Sequence, residues 1–302
     1  MAQRARRGAR AVVSSALGSV ALALVAPPTL ADNAALTIPF TVTRPAGEGP
    51  FPAVVILHDC SGLGPGSSGA PWRWSSELMR LGYVTIWPDS FSTRGFPRGV
   101  CTEPGRESVR PRFRAADAYA ALAHLRTLPF VDSRRVAVMG GSHGGSSTLA
   151  SIVASPANAE RANPGFAAAI ALYPSCSFGY GEFVVERGRE PGSPISGYRG
   201  TFRPLAPMLI LTGELDDWTP AEPCRHLVRS AEAAGLPATI KIYPGAHHSF
   251  DSVAPVRHVA ERININAPGG RGATTGGNRE AWADARVMVR DFLARHLAPQ
   301  PR

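Results

Sequence analysis

Val136-Ala137-Val138-Met139-Gly140-Gly141-Ser142-His143-Gly144-Gly145, continued by Ser146-Ser147-Thr148-Leu149-Ala150, is the stretch on which the reading of this chain turns. A short apolar run with strand character leads into a glycine-flanked serine and then into residues that can begin a helix. This is the layout of a nucleophile elbow, a sharp Gly-x-Ser-x-Gly turn that lifts a serine hydroxyl above the end of a sheet. Gly140 and Gly144 are required there because a Cβ at either would crowd the neighbouring strand and helix. A chain with 31 glycines would show the pattern by accident about 0.25 times, so its surroundings must decide.

Upstream of the elbow, Leu36, Ile38, Phe40 and Val42 alternate with polar residues or proline, predicting a first strand over 34–44. Ala53-Val54-Val55-Ile56-Leu57-His58 is continuously apolar, as a strand covered on both faces must be, and ends in the glycine-rich loop Asp59-Cys60-Ser61-Gly62-Leu63-Gly64. A helix over 71–81, with Trp74, Leu78 and Leu81, stops at Gly82 before a strand over 83–87. The stretch 88–111 has no period and reads as a long loop, of a length that often carries function. A helix over about 112–128, with Phe113, Ala116, Ala120, Ala123 and Leu125 near one face, leads to the elbow strand.

Downstream, a helix to about Ala154 is followed by a buried strand over 167–173, and 175–202, rich in Gly, Pro and charge, reads as an insertion over the carboxyl edge of the sheet and a candidate lid. Strands at 208–212 and 239–243 bracket a helix over 221–234. A Gly/Asn-rich excursion over 264–278 precedes a last helix over 279–297, with Trp282, Val287, Val289 and Phe292 as its apolar residues. Strands and helices therefore alternate throughout, which predicts an α/β domain with a mostly parallel central sheet and helices on both faces.

Residues 1–31 read as an export signal: Arg4, Arg6, Arg7 and Arg10, an apolar run from Ala11 to Ala26, and Thr29-Leu30-Ala31 as a cleavage site, leaving a mature domain over 32–302. The run is shorter than the ~20 residues of a membrane span. The expectation is a periplasmic or secreted protein with no membrane association after cleavage. The formal charge is +9; beyond residue 31 the chain has 28 basic and 23 acidic residues, a net +5. Its arginines are scattered and Lys241 is the only lysine, so no basic patch for nucleic acid stands out. No metal-ligand spacing or phosphate-cradling glycine loop is present, and neither metal nor cofactor is expected. Oligomeric state is not legible.

In such a sheet, reactive groups gather at the carboxyl ends of the strands. Ser142 follows one strand, Asp216 follows a later one in Gly213-Glu214-Leu215-Asp216-Asp217-Trp218-Thr219-Pro220, and His248 follows the last. A serine hydroxyl needs an imidazole to take its proton, and the imidazole needs a carboxylate to fix its tautomer. Ser142, His248 and Asp216 are the candidate nucleophile, base and acid, with Asp217 and His247 as competitors. Backbone N–H groups of His143 and Cys60 are the candidate oxyanion donors. Trp218 is a candidate pocket-lining residue. Arg94 is a candidate for an anionic substrate group or, equally, for a loop salt bridge. His58 reads as a strand-end histidine.

Gly140-Gly141-Ser142-His143-Gly144-Gly145, Gly213-Glu214-Leu215-Asp216-Asp217-Trp218-Thr219-Pro220 and Tyr243-Pro244-Gly245-Ala246-His247-His248-Ser249-Phe250 together resemble the dienelactone hydrolase-like branch of the α/β-hydrolase superfamily. The resemblance runs from Pro52 to the last helix. It places the family's nucleophile on Ser142, its acid on Asp216 and its base on His248, since the family's histidine precedes a small residue and Phe. Dienelactone hydrolases proper carry cysteine as nucleophile, so serine here turns the expectation from dienelactone toward esters and lactones in general. Under this fold, Cys60 and Cys101 follow neighbouring strands, as do Cys176 and Cys224, and disulfides Cys60–Cys101 and Cys176–Cys224 are expected. The implied activity is a serine hydrolase acting on a small-molecule ester or lactone through an acyl-enzyme. A peptidase or acyltransferase on the same triad is the chemical alternative, and a binding protein that kept the fold but lost turnover is the other.

Overall fold

A computed structural model describes residues 38–161 and 165–299. The candidate signal over 1–31 lies outside the described residues, as do positions 34–37 of the predicted first strand. The elements, in chain order, are β1 (Phe40–Thr43), β2 (Phe51–Leu57), α1 (Ala70–Arg80), β3 (Val84–Pro88), α2 (Pro111–Thr127), β4 (Val131–Gly141), α3 (His143–Ile152), α4 (Pro156–Arg161) and β5 (Ala168–Leu172). They continue with β6 (Val184–Arg187), β7 (Ile195–Arg199), β8 (Met208–Gly213), α5 (Ala221–Glu232), β9 (Ala238–Tyr243), β10 (Arg257–Ile263), β11 (Arg271–Thr275) and α6 (Arg279–His296).

Seven strands form one sheet in the order β1-β3-β2-β4-β5-β8-β9. Only β1 is antiparallel to its neighbour; the other pairs are parallel. The continuous apolar runs now have their reason, because alternate residues of one strand face opposite layers. In β2, Ala53, Val55 and Leu57 pack with α2, α3 and α5, while Val54 and Ile56 pack with α1 and α6. Helices thus cover both faces, as the alternation predicts.

Two helix faces differ from their sequence expectation. In α2 the buried residues include Ala115, Ala118, Leu122 and Leu125, whereas Ala120 and Ala123 are exposed. An alanine-rich helix carries little contrast between faces, so its periodicity is weak evidence for either. In α6 the buried stripe is Ala281, Ala285, Val289 and Leu293, at steps of four, and Val287 is exposed.

Two hairpins stand where only irregular chain is expected. Within 175–202, β6 and β7 pair antiparallel, and Tyr180, Phe183 and Phe202 at its roots are buried in the core under α2, α3 and α5. The 264–278 excursion is the return of a second hairpin, β10–β11. Arg187 joins the two, donating to Asn266 Oδ1 at 3.0 Å and to Ile265 O at 2.8 Å. Both expected disulfides, Cys60–Cys101 and Cys176–Cys224, are present. No helix among the described residues is long and apolar enough to cross a membrane.

Candidate active site

The elbow is built where β4 meets α3. Ser142 takes φ 54°, ψ −118°, a left-handed strained conformation that a non-glycine residue holds only when its surroundings enforce it. A Cβ at Gly140 would stand 2.5 Å from Gly144 C and 2.7 Å from Leu57 O, and one at Gly144 would land on Leu57 O. The start of α3 therefore lies directly on the end of β2, beside the loop that carries Cys60. Among the described residues, neither the His143 nor the Cys60 N–H has an acceptor within the chain.

Ser142 Oγ lies 2.9 Å from His248 Nε2, and His248 Nδ1 lies 2.8 Å from Asp216 Oδ2. All three residues are buried. The geometry assigns Nδ1–H as donor to the carboxylate and Nε2 as acceptor of the serine proton. Asp216 is held by the Trp218 and Thr219 N–H groups, which donate to Oδ1 at 3.0 and 2.8 Å. Ser142, Asp216 and His248 are thus brought together by the ends of β4, β8 and β9. Their competitors are occupied elsewhere: Asp217 accepts from Thr274 N and Oγ1, each at 2.7 Å, and His247 Nδ1 lies 3.0 Å from Leu215 O.

The sequence pattern of the dienelactone hydrolase family matches residues 38–297. The chain belongs to this family. Thermogutta terrifontis esterase 2 in its apo form is 20% identical, with a TM-score of 0.58 over 88% of this chain and 92% of that one. A Klebsiella pneumoniae protein provisionally called a dienelactone hydrolase is 21% identical, with a TM-score of 0.55 over 85% and 93% of the two chains. Porphyromonas gingivalis dipeptidyl peptidase 4, 20% identical with a TM-score of 0.56, is matched over 87% of this chain but only 34% of its own. At these identities the likeness is one of fold. No curated protein sequence matches the chain.

Around the family's elbow, several residues without a sequence signature complete the site. Thr219 Oγ1 lies 2.9 Å from Asp216 Oδ2, 3.0 Å from Tyr173 O and 2.9 Å from His248 Nδ1, at the contact between Asp216 and His248. Tyr173, at φ 36°, sets its ring 4.8 Å from the His248 ring and its hydroxyl against Asp251 Oδ1 at 2.8 Å. Asp251 also accepts from Trp74 Nε1 at 2.8 Å, so the histidine loop is tied to α1. Burial raises the Tyr173 phenol and the Asp251 carboxyl above their ordinary values. The β10–β11 hairpin ties the backbone beside Asp216 and at His248: Asn264 Nδ2 donates to Asp217 O at 3.0 Å, and the Gly276 N–H donates to His248 O at 2.9 Å. Single Thr, Asn and Asp residues occur throughout the chain, and only their contacts distinguish these.

Trp218 stands 4.7 Å from the His248 ring, with its Nε1–H fixed on Ile263 O at 2.9 Å and the Arg262 guanidinium 5.2 Å from its ring centroid. Arg94 lies instead in a bidentate ion pair with Asp117, at 2.8 and 2.7 Å, with both side chains 3% exposed. Its salt-bridge alternative is the one the geometry matches, because the carboxylate occupies the face a substrate anion would need.

Behind the elbow, His58 donates from Nδ1 to Asp59 O at 2.9 Å and accepts the Ser90 N–H on Nε2 at 3.2 Å. It is a neutral strand-end histidine: burial, helped by the Arg114 charge, pushes its pKa down to about 3. Arg114 is fully buried and donates to His143 Nδ1 at 2.8 Å. Burial, then the Arg114 charge, holds the His143 imidazole well below its ordinary value. Among the described residues no cluster of His, Cys, Asp and Glu could hold a metal ion.

Proposed function

We propose that the chain is an exported serine hydrolase that cleaves a small carboxylic ester or lactone through Ser142, His248 and Asp216. The observation that carries the reading is the unbroken contact from Ser142 Oγ to His248 Nε2 and from His248 Nδ1 to Asp216 Oδ2, at 2.9 and 2.8 Å. In this mechanism His248 Nε2 takes the Ser142 proton as Oγ attacks the carbonyl carbon. The negative charge moves to the carbonyl oxygen, where the N–H groups of His143 and Cys60 receive it. Asp216 stabilises the imidazolium and keeps its ring oriented. Collapse breaks the bond to the alcohol, which leaves with the proton from Nε2. Water then repeats the sequence on the acyl-serine and frees the acid. Trp218, beside His248, lines the substrate side, and the β6–β7 segment, which leans on the loop after β10, serves as the lid.

Two structures of one protein of this fold support the class. Thermogutta terrifontis esterase 2 is described with propionate bound and as phosphonylated by sarin. Export is supported by the two disulfides, which persist in oxidising compartments, and by the Arg-rich apolar start of the sequence. The test is hydrolysis of a panel of short- and long-acyl esters and lactones by the purified mature chain, with Ser142→Ala beside it. Turnover in the wild type and its loss by roughly 10⁶-fold in the variant are expected. Inactivity of the wild type on every ester, lactone and amide would favour the binding-protein alternative. The mass of the exported chain should correspond to a start at Asp32; an uncleaved chain would contradict export by this route.

A further inference from the structure

The Cys60–Cys101 bond joins two loops that the proposed chemistry needs in register. Cys60 follows β2 and supplies a proposed oxyanion donor, while Cys101 lies in the long loop after β3. The chain around Cys101 is pressed against the Cys60 loop: the Val100 N–H donates to Cys60 O at 2.6 Å. A Cβ on Gly99, at φ 85°, would stand 2.6 Å from both Cys60 O and Ser61 O, and one on Gly64 would land on Pro97 O. From Cys101 the connection continues to the acid. Its carbonyl accepts the Ile263 N–H at 3.0 Å, Ile263 O accepts Trp218 Nε1–H at 2.9 Å, and the Trp218 N–H donates to Asp216 Oδ1 at 3.0 Å. In the sheet order, β2 and β8 lie on opposite sides of β4, so one covalent bond and three hydrogen bonds link the loops that flank Ser142. Cys60, Phe91, Val100, Cys101 and Val109 form a small core of their own, with Trp218 packed against it.

We propose that Cys101 is a positioning residue for ester hydrolysis: its bond to Cys60 holds the oxyanion donor at Ser142, so full activity appears only after this disulfide has formed. The proposal rests on the serine-hydrolase reading. Oxyanion stabilisation comes from donors that are fixed before the charge develops, and a donor on a loop without ladder hydrogen bonds must be fixed by something else. The second disulfide crosslinks the segment after β5 to α5 and touches no proposed oxyanion donor, which makes it the internal control.

The test compares Cys60→Ala/Cys101→Val, sized to refill the small core, with Cys176→Ala/Cys224→Ala and with Ser142→Ala. Each is assayed for kcat and KM on a short-chain ester, and for affinity toward an alkyl trifluoromethyl ketone, whose adduct with Ser142 places an oxyanion in the hole. Opening Cys60–Cys101 is expected to lower kcat roughly 10- to 100-fold and to weaken the ketone by the same factor, with KM nearly unchanged. The control keeps its ketone affinity. A folded Cys60→Ala/Cys101→Val variant with kcat and ketone affinity within about threefold of wild type would overturn the proposal. If that variant does not fold, dithiothreitol is added to the wild type; the dithiol passes two electrons and two protons to the two sulfurs and leaves as its cyclic disulfide. Activity should fall in step with cleavage of Cys60–Cys101, followed by peptide mapping, and activity persisting in molecules with that bond open would overturn it. Undiminished hydrolysis by Ser142→Ala would instead remove the serine mechanism itself, an outcome distinct from either.

Discussion

Thr219 shows how much of the site depends on one hydroxyl. Its Oγ1 is within 3.0 Å of Tyr173 O, Asp216 Oδ2 and His248 Nδ1, and its single proton serves either the carbonyl or the carboxylate, so its removal would leave one of these buried acceptors short of a donor. Thr219→Val should lower kcat roughly 10- to 100-fold, the kinetic equivalent of a hydrogen bond to a charged group, and Thr219→Ser should restore most of it. Equal kcat in the valine and serine variants would contradict this. His58 carries a pH dependence of the fold. Its folded pKa, pushed down to about 3 by burial and then by Arg114, lies below the ordinary value of 6.5. Between these values the unfolded chain binds a proton that the folded chain refuses. The stability it contributes is therefore complete above about pH 6.5 and is lost as pH falls toward 3, to the extent of about 5 kcal/mol. His143, lowered in the same direction, adds to the trend. Unfolding midpoints measured from pH 7 to 4 should fall less steeply in His58→Gln than in the wild type, and identical slopes would contradict the assignment.

At the scale of elements, the start of α3 comes against the end of β2 at Gly144. Gly144→Ala would drive a Cβ onto Leu57 O, a backbone atom with no room to yield, and should cost at least about 3 kcal/mol or abolish soluble protein. A denaturation midpoint within about 1 kcal/mol of wild type would show that the elbow can relax. This close packing is also why the elbow was legible: the turn tolerates few residue types, and the acid and histidine motifs follow strands whose apolar runs are long and sharply ended. The hairpins were not legible for the converse reason. In β6 and β7, Glu186 and Arg199 pair at the surface, and in β10 Arg257, His258, Ala260 and Glu261 are exposed with no period-2 alternation, so neither hairpin carries the apolar contrast that marks a strand. The face of α2 was misplaced because alanine fits either side, and Arg114 and Asp117 are buried on a helix where charge reads as exposure. Thr219, Asn264 and Asp251 act through contacts that no spacing announces.

Across the whole molecule, cross-links supplement a doubly covered sheet. Cys176 and Cys224 are 48 residues apart and fully buried, and a loop of that length implies that Cys176→Ala/Cys224→Ala loses about 4 kcal/mol, read as a lower unfolding midpoint. An unchanged midpoint would mean that the sheet and its helices alone hold the segment after β5. Membership of the dienelactone hydrolase family and the α/β-hydrolase sheet supply the frame, and the contacts at Ser142 supply the proposed chemistry. The most direct measurement is the site of covalent modification after the folded protein is treated with a fluorophosphonate. One adduct per chain, mapped to the peptide containing Ser142, with loss of ester hydrolysis in proportion to labelling, is the result expected. Labelling at another residue, or full hydrolysis by a chain whose Ser142 is blocked, would contradict the account.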